Sequence, residues 1–273
     1  MSAVLYEVSE GIARVTLNRP KVLNALDLPL MGKLLEVLDL AANDPTVRVV
    51  VITGKGKGFC SGADLRGLPD EPSDGGADTD ASSPSPDPSS WVARAMDDYY
   101  NPAVRRLASM PVPTVARING VAAGGGLGLA LGCDISIAAH SADFVSTFGS
   151  RLGIVPDMGT SWQLPRLLGR ARSLGMALLG DRIPAQQAAD WGLIWAAVPD
   201  EELDARVLDI ARRLRRSSGE ALARTRQIMD EASSRSLDAQ LDAEVEAQRV
   251  LIPRNMIGAA KAFVAKRDPD FDR

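Results

Sequence analysis

The first fifty residues alternate between short apolar runs and one longer amphipathic segment. Residues 4–18, VLYEVSEGIARVTLN, predict two strands joined by a turn at Glu10–Gly11. Apolar residues then recur at helical spacing, and Asp27 is placed to cap that helix. The apolar positions are Leu28, Met31, Leu34, Leu35 and Leu38. VRVVVIT at 47–53 is typical of a strand buried on both faces, so strand, helix and strand predict a right-handed parallel crossover.

The same α/β pattern continues to about residue 200 and then changes. PTVARING (113–120) and CDISIAA (133–139) predict further short strands, each next to a helical stretch. From Pro199 the pattern is helical nearly to the end, and its apolar stripes are more typical of a core or a subunit interface than of a ligand site. We therefore expect an α/β core over residues 1–199 and a C-terminal helical region over 200–273.

Residues 69–90, PDEPSDGGADTDASSPSPDPSS, interrupt this pattern. The segment contains no aliphatic residue larger than alanine, so it buries too little apolar surface to offset the cost of ordering. We expect a mobile loop here and a helix from Trp91 to about Ser109. Its position directly after GADLRGLP also allows the loop to cover the mouth of a neighbouring site.

Composition narrows the classes of function. The chain has 273 residues, 45% of them hydrophobic, which is enough for one sizeable core. A net charge of −4 gives no footprint for nucleic acid or an anionic membrane. The sequence shows no charged start followed by an apolar h-region and no long apolar run, so we expect neither a secretory signal nor a membrane span. Cys60 and Cys133 cannot form a disulfide framework, so we expect a cytoplasmic protein. His140 is the single histidine, which excludes histidine-rich metal sites.

Two glycine clusters invite a chemical interpretation. GKGKGFCSG (54–62) lacks the P-loop pattern, and GGGLG (124–128) does not complete the dinucleotide fingerprint. Each cluster follows a predicted strand and precedes a helix, so each can present a free backbone N–H without a side chain in the way. Two such donors directed at one point form an oxyanion hole. Taken alone, either cluster is better explained by tight turns and close packing.

Longer stretches carry a resemblance to a known family. GKGFCSGADL, INGVAAGGGLGLALGCDISIAA and FGSRLGIVPDMGTSWQLPRLLGRARSLGMALLGDRIPAQQAADWGLI resemble the enoyl-CoA hydratase/isomerase (crotonase) superfamily. The likeness runs from LNRPKVLNAL to AFVAKR, with 69–90 excepted. YYNPAVRRLASMPVPTVARINGVAAG, VPDMGTSWQLPR and AKRDPDF are most similar to the ring-epoxyphenylacetyl-CoA isomerases of phenylacetate degradation. The resemblance implies an α/β fold, with a ββα spiral core and a C-terminal helical trimerisation region, assembled as a homotrimer or as a hexamer of paired trimers.

The resemblance also implies roles for individual positions. The two oxyanion-hole amides fall on Ala63 and Gly125, which would hold the thioester carbonyl of an acyl-CoA substrate. Backbone near Val22 and Ala25 would wall the adenine end of coenzyme A. The pantetheine path would be lined by Ala63, Asp64, Leu65 and Arg66. Phe263 and Lys266 would reach the coenzyme A of a neighbouring subunit, although a solvated basic tail explains Lys266 equally well. No metal or redox cofactor is implied, since coenzyme A enters as part of the substrate.

The sequence departs from the hydratase pattern at both catalytic glutamates. The position three residues after the oxyanion-hole glycine is Gly128, and the position before the LG of LGIVP is Gly149. Hydration must orient a water, take its proton and supply a proton to the α-carbon. Glycine offers none of these functions, so the sequence favours an isomerase over a hydratase.

Asp157, in LGIVPDMGTSW, is the acid that remains in this region. By resemblance to isomerase-like members it would move a proton between two carbons of an enoyl thioester. The alternative is a structural charge before a helix, because TSWQ (160–163) has the form of a capping box with Thr160 as N-cap. The helix dipole would lower the pKa of Asp157, whereas burial in an acyl pocket would raise it.

The same residues are compatible with other functions. The same oxyanion hole with Asp157 as nucleophile or polariser would give thioester hydrolysis or dehalogenation, and loss of both glutamates also fits a non-catalytic acyl-CoA-binding subunit. Tyr99 and Tyr100 either line the acyl pocket or simply pack. Three tryptophans are expected in the core, with a place at the site as the alternative for Trp162: Trp162, Trp191 and Trp195. Cys60 is expected to be a buried structural thiol.

Overall fold

The computed structural model describes residues 2–67, 88–269 and 271 as a mixed α/β fold. The strands are β1 (Val4–Ser9), β2 (Ile12–Leu17), β3 (Val49–Gly54), β4 (Thr114–Ile118), β5 (Ala122–Ala123), β6 (Ile135–Ala139), β7 (Asp143–Val145), β8 (Arg182–Pro184) and β9 (Ala196–Val198). The helices are α1 (Leu28–Asn43), α2 (Pro88–Ala95), α3 (Asn101–Ala108), α4 (Gly125–Leu131), α5 (Thr160–Leu179), α6 (Ala185–Trp191), α7 (Leu203–Arg215), α8 (Gly219–Glu231), α9 (Leu237–Leu251) and α10 (Ile257–Val264).

The strands form two sheets. The larger sheet has the order β1-β2-β3-β4-β6-β9, and the smaller one has the order β5-β7-β8. β1 and β2 pair antiparallel around Glu10 and Gly11, both with positive φ, which confirms the predicted hairpin. β2 pairs parallel with β3, so α1 is the connecting helix of the predicted crossover. Parallel pairing continues through β4, β6 and β9.

Helix α1 begins where the sequence predicts. The Asp27 carboxylate accepts a hydrogen bond from the Leu30 amide at 2.8 Å, which satisfies one of the free N–H groups of the first turn. Met31, Leu34 and Leu38 of the predicted stripe are fully buried, in a core that also holds Val50 and Ile52 of β3. Leu28 and Leu35 are partly buried. Local capping and burial therefore agree on this element.

The opposite face of the sheet is covered by α7. Val49 and Val51 of β3 pack there with Val207 and Ile210. Successive β3 residues thus face two different apolar clusters, which explains the continuous β-branched run. α7 begins just after residue 199, where the sequence predicts that the α/β core ends, and yet it packs on the sheet of that core. The division into an α/β core and a C-terminal helical region stays a prediction.

Helices α8 to α10 extend from this core. Arg226 of α8 bonds to Asp134 at 2.6 Å and to the carbonyl oxygens of Leu107 and Met110, and these bonds attach the helices. Phe263 and Val264 of α10 are 84% and 83% exposed in the single chain. The exposed apolar side chains are consistent with a subunit contact. Assembly into trimers or hexamers stays a prediction.

The structure differs from the sequence-based expectations at the start of α2 and at two tryptophans. Of the predicted loop 69–90, residues 69–87 lie outside the described residues, while 88–90 form the first turn of α2, so the helix begins before Trp91. Trp162 and Trp195 are 44% and 67% exposed, so the prediction that they lie in the core was wrong. Their apolar neighbours along the chain do not decide which side of the element faces the core.

Among the described helices, none combines the length and apolar character needed to cross a bilayer.

Candidate active site

A cavity of about 780 Å³ lies beyond the carboxyl ends of β3 and β4. Its walls come from residues 26–29, 61–65, 92–100, 124–125 and 147–158. Most of the lining is apolar, and the polar side chains are Asp27, Ser61, Asp64, Tyr100, Thr147, Arg151 and Asp157. A mainly apolar cleft with a few converging polar groups is the usual form of a small-molecule site.

The two glycine clusters are packed directly against each other. The Cys60 amide donates to the Val121 carbonyl oxygen at 3.0 Å, and the Ala123 amide donates to the Cys60 carbonyl oxygen at 2.9 Å. A β-carbon built on Gly126 would lie 2.3 Å from that Cys60 oxygen, and one built on Gly62 would lie 2.9 Å from the Ala123 oxygen. Only glycine fits at these two positions, because any side chain would collide with backbone.

This packing brings Ala63 and Gly125 to one wall of the cavity. A β-carbon on Gly62, the neighbour of Ala63, would lie 3.4 Å from the Gly125 nitrogen. Within the described part of the chain, neither the Ala63 nor the Gly125 N–H donates to a protein acceptor. Both donors are therefore available to a ligand oxygen in the cavity.

Asn24 holds this wall in place, and sequence reasoning missed it. The side chain is fully buried, and its Nδ2 donates to the carbonyl oxygens of Lys55, Gly58 and Phe59 at 3.0, 2.9 and 3.2 Å. Its backbone has a φ of 57°, which asparagine tolerates better than most residues. An asparagine inside the apolar KVLNAL segment was the available signal.

A second set of polar contacts fixes the rim. Arg19 bonds to Asp27 and Asp64 at 2.9 Å each, and Arg66 bonds to Asp64 at 2.8 Å. The hydrogen bonds from Arg66, with Arg19 in support, hold the pKa of Asp64 well below its usual range. The Asp64 amide also donates to the Leu26 carbonyl oxygen at 2.9 Å, so the residue ties the two segments together.

Five of the predicted site residues do not line this cavity: Val22, Ala25, Arg66, Phe263 and Lys266. Leu65 lines the cavity, whereas Val22 and Ala25 lie on the neighbouring segment, where the Val22 carbonyl oxygen accepts the Ser61 hydroxyl at 3.2 Å. Phe263 and Lys266 lie on α10 and just beyond its end, and neither lines this cavity. Their predicted role toward a neighbouring subunit stays a prediction.

Asp157 lines the cavity together with Ala63 and Gly125. Burial raises the pKa of its carboxyl from the ordinary value of 3.8 to about 6. Within the described residues this carboxyl takes part in no ion pair, which leaves its charge uncompensated. The direction of this shift is the one that the sequence analysis expects from burial in an acyl pocket.

The capping-box prediction for Thr160 was wrong. The N-cap of α5 is Gly159, no side chain caps this helix, and Thr160 is the first helical residue. Met158 and Gly159 both have positive φ (51° and 76°), and this turn delivers the chain into the helix. The Thr160 amide donates to the Asp157 carbonyl oxygen at 2.8 Å, so it is the backbone of Asp157 that meets the helix. The Asp157 carboxyl does not cap this helix.

The segment around Met158 also fills the space beside Gly128. A β-carbon built on Gly128 would lie 2.5 Å from the Met158 carbonyl oxygen and 2.8 Å from the Thr160 hydroxyl oxygen. One built on Gly149 would lie 3.1 Å from the Ala177 carbonyl oxygen, and Gly149 does not line the cavity. Neither glycine position has room for the glutamate of the hydratase pattern without rearrangement.

Tyr100 and Cys60 complete the surroundings. The Tyr100 side chain lines the cavity, and burial, reinforced by the charge of Asp157, raises its pKa to about 12. Tyr99 instead packs toward Gly32, where a built β-carbon would lie 3.5 Å from its ring. Burial raises the pKa of the Cys60 thiol to about 12, as expected for a buried structural thiol.

The whole-chain comparison assigns the family. The family model for enoyl-CoA hydratase/isomerase matches residues 7–273. The chain belongs to the enoyl-CoA hydratase/isomerase family. It is 41% identical over 272 residues to a 1,2-epoxyphenylacetyl-CoA isomerase of Escherichia coli (strain K12), covering 99% of this chain and 98% of that protein.

Other members of the enoyl-CoA hydratase/isomerase family differ in the reaction they are named for. A 4-chlorobenzoyl coenzyme A dehalogenase-2 of an Arthrobacter species is 31% identical, over 88% of this chain and 82% of that protein. The crystal structure of an enoyl-CoA hydratase from Bacillus anthracis matches with a TM-score of 0.86 and 29% identity, over 98% of both chains. The crotonase-like fold and membership of the enoyl-CoA hydratase/isomerase family are therefore shown for this chain, and the reaction type is a separate question.

Proposed function

We propose that the protein is an acyl-CoA isomerase that moves a proton or shifts a bond within an unsaturated or ring-epoxide acyl group, with Asp157 as its one acid/base. The observation that carries this proposal is the placement of Asp157 in the cavity that also holds the Ala63 and Gly125 amides. A carboxyl with a pKa near 6 exchanges protons readily at neutral pH. The blocked space at Gly128 supports one carboxylate rather than two.

The proposed cycle uses Asp157 first as a base and then as an acid. The thioester carbonyl oxygen accepts hydrogen bonds from the Ala63 and Gly125 amides, which stabilise the negative charge that develops there. The Asp157 carboxylate removes a proton from an acyl carbon, and the electrons move into the conjugated system to form a dienolate. The protonated Asp157 then returns the proton two carbons along, which restores the carboxylate and moves the double bond.

The coenzyme A portion is placed by the rim. Asp64, Leu65 and Arg66 line the pantetheine path in this proposal, and Val22 and Ala25 wall the adenine end. The ion pairs of Asp64 with Arg19 and Arg66 support the role of a rigid rim. Phe263 and Lys266 serve the site of a neighbouring subunit in a trimer or a hexamer of paired trimers, a role their exposure in the single chain supports.

A second candidate uses Asp157 as a nucleophile. It is favoured by the relative named as a 4-chlorobenzoyl coenzyme A dehalogenase. In that case the carboxylate attacks either the thioester carbonyl carbon, which expels the coenzyme A thiolate, or a halogen-bearing aryl carbon, which expels halide. Water then hydrolyses the ester formed on Asp157, which releases the acid or phenol product and restores the carboxylate. A non-catalytic acyl-CoA-binding subunit is the remaining alternative, and it predicts binding without turnover.

The test is a turnover screen on straight-chain 3-enoyl-CoAs and aromatic acyl-CoAs, with wild type and Asp157→Asn. We expect isomerised product without release of free coenzyme A, and a loss of turnover of about 10²–10⁴-fold in the variant. Acyl-CoA affinity measured by titration should change little, because backbone amides hold the carbonyl. Asp190→Asn, at an exposed position on α6, is the matched control and should keep full turnover.

Each rival gives a different result in the same screen. Release of halide or of free coenzyme A would show the nucleophilic reaction instead. Tight binding with no product from any acyl group would show the non-catalytic subunit. Turnover that survives Asp157→Asn would remove this carboxyl from the mechanism.

A further inference from the structure

One hydroxyl in the cavity is poorly engaged by the protein. The Tyr100 hydroxyl donates to the Leu26 carbonyl oxygen at 3.4 Å, a long distance for an O–H donor. That same oxygen already accepts the Asp64 amide at 2.9 Å. No other acceptor for this hydroxyl is found among the described residues. A half-buried hydroxyl with so weak a partner has a proton to offer to a ligand.

The Tyr100 hydroxyl stays protonated at physiological pH. Burial and the neighbouring Asp157 charge raise its pKa to about 12, so it acts as a neutral donor. Tyr100 and Asp157 line the same cavity, so a ligand in it is in reach of both side chains. Tyr100 ends a π-helical turn, Met96–Tyr100, and turns of this kind are frequent at functional sites.

The other two hydroxyls of the lining are occupied or lie elsewhere. The Ser61 hydroxyl donates to the Val22 carbonyl oxygen at 3.2 Å. The Thr147 hydroxyl lies beside Gly124, where a built β-carbon would be 2.9 Å from its oxygen, and it therefore belongs to the amide side. The other lining residues of the helical segment that carries Tyr100 are apolar: Val92, Ala95 and Met96. A hydrocarbon acyl chain in that region would need no donor.

We propose that Tyr100 is a specificity-determining residue that donates a hydrogen bond to an oxygen carried by the acyl group, close to the carbon that Asp157 serves. The inference rests on the proposed function and narrows its substrate class to oxygen-bearing acyl thioesters, such as ring epoxides, cyclic ethers and phenols. An acyl group of the same size without the oxygen leaves the hydroxyl with only its long bond to Leu26 and binds less tightly.

The test measures binding, not turnover. Calorimetric titration with 2-hydroxyphenylacetyl-CoA and phenylacetyl-CoA compares two ligands that differ by one oxygen. We expect wild type to bind the oxygen-bearing ligand about three- to tenfold more tightly, the range of one good hydrogen bond. Tyr100→Phe should bring the two affinities to within about twofold of each other, mainly by weakening the oxygen-bearing ligand. Tyr99→Phe, which alters the neighbouring hydroxyl outside the cavity lining, should keep the wild-type preference.

Several outcomes would overturn the inference. Equal affinity of wild type for the two ligands would do so, and so would a preference that survives in a folded Tyr100→Phe, as judged by its melting curve. A preference lost in Thr147→Val and kept in Tyr100→Phe would assign the donor to Thr147. Because the assay needs no reaction, a preference that depends on Tyr100 stands even if no isomerase activity is found, and active isomerase without that preference leaves the proposed function intact.

Discussion

The two walls of the cavity are built in opposite ways. The amide wall, residues 58–64 and 120–126, has almost no free volume, since β-carbons on several of its glycines would meet backbone atoms at 2.0–2.9 Å. The carboxylate wall, residues 148–158, is open, with Val155 80% exposed and no atom within 4 Å of a β-carbon built on Gly153.

This difference follows from what each wall provides. Backbone donors can converge only if two chain segments approach closely, which excludes side chains and tolerates little change. A side-chain acid needs only one position at the cavity surface and a partly dry environment. We therefore expect substitutions in the amide wall to act on folding and those in the carboxylate wall to act on chemistry.

The largest expected effect is the difference between the rates of hydration and isomerisation, because the carboxylate wall offers only one acid/base. Hydration of crotonyl-CoA should be slower than the best isomerisation by about 10²–10⁴-fold, because Gly128 and Gly149 supply no second acid/base. The measurement is the initial rate of each reaction on the same preparation. Gly128→Glu should not gain hydration, since its β-carbon would collide with the Met158 carbonyl oxygen. Comparable hydration and isomerisation rates in wild type would refute a single-carboxylate mechanism.

Gly126→Ala should break the amide wall. The added methyl group would lie 2.3 Å from the Cys60 carbonyl oxygen, which belongs to the backbone and cannot move aside as a flexible side chain could. We expect a loss of about 3 kcal/mol in the free energy of unfolding, measured by denaturant titration. Gly175→Ala is the matched control, because a β-carbon there meets nothing within 4 Å and the residue lies within α5. That variant should be unchanged or stabilised by about 0.5–1 kcal/mol. Equal stability of the two variants would contradict the close-packed description.

Asn24→Ala tests whether side-chain hydrogen bonds hold the amide wall. The change removes the Asn24 donor from the carbonyl oxygens of Lys55 and Phe59 and leaves the Gly58 oxygen with only the Asn119 side-chain amide at 3.3 Å. We expect a loss of about 2 kcal/mol in unfolding free energy together with weaker acyl-CoA binding. Asn43→Ala removes one exposed bond to the Asp39 carbonyl oxygen and should cost about 0.5 kcal/mol or less. A stable Asn24→Ala variant with normal affinity would show that the wall holds without it.

The smallest effect is the pH dependence that Asp157 confers on stability. Its pKa is about 6 in the fold and 3.8 in the unfolded chain, so folding favours the neutral carboxyl. The contribution of the neutral Asp157 carboxyl to the free energy of unfolding is fully present below pH 3.8 and is lost as the pH rises through 6. Asp157→Asn cannot ionise, so its stability relative to wild type should increase between pH 4 and pH 7. After allowance for solvent at the half-buried carboxyl we expect about 1 kcal/mol. Melting curves across this range give the answer, and parallel curves for the two proteins would mean an unshifted carboxyl.

Local sequence determined much of the scaffold and of the chemistry. The turn at Glu10–Gly11, where Ser9 pairs with Ile12, and the start of α1, where Asp27 caps Leu30, each depend on residues three positions apart. The buried β3 run and the glycine clusters also follow from short segments. Resemblance then placed Ala63, Gly125 and Asp157, which the fold brings to one cavity.

Only the tertiary structure decided how these parts act together. Asn24 binds carbonyl groups more than thirty residues away, and Gly126 meets Cys60 sixty-six positions earlier in the chain, so no local pattern reveals either contact. The same reason explains the error at Thr160, where a left-handed turn replaces the capping side chain that the local sequence predicts. The balance at Asp157 is likewise nonlocal. A sequence shows that a carboxyl precedes a helix, but its pKa depends on how far distant segments exclude water from it.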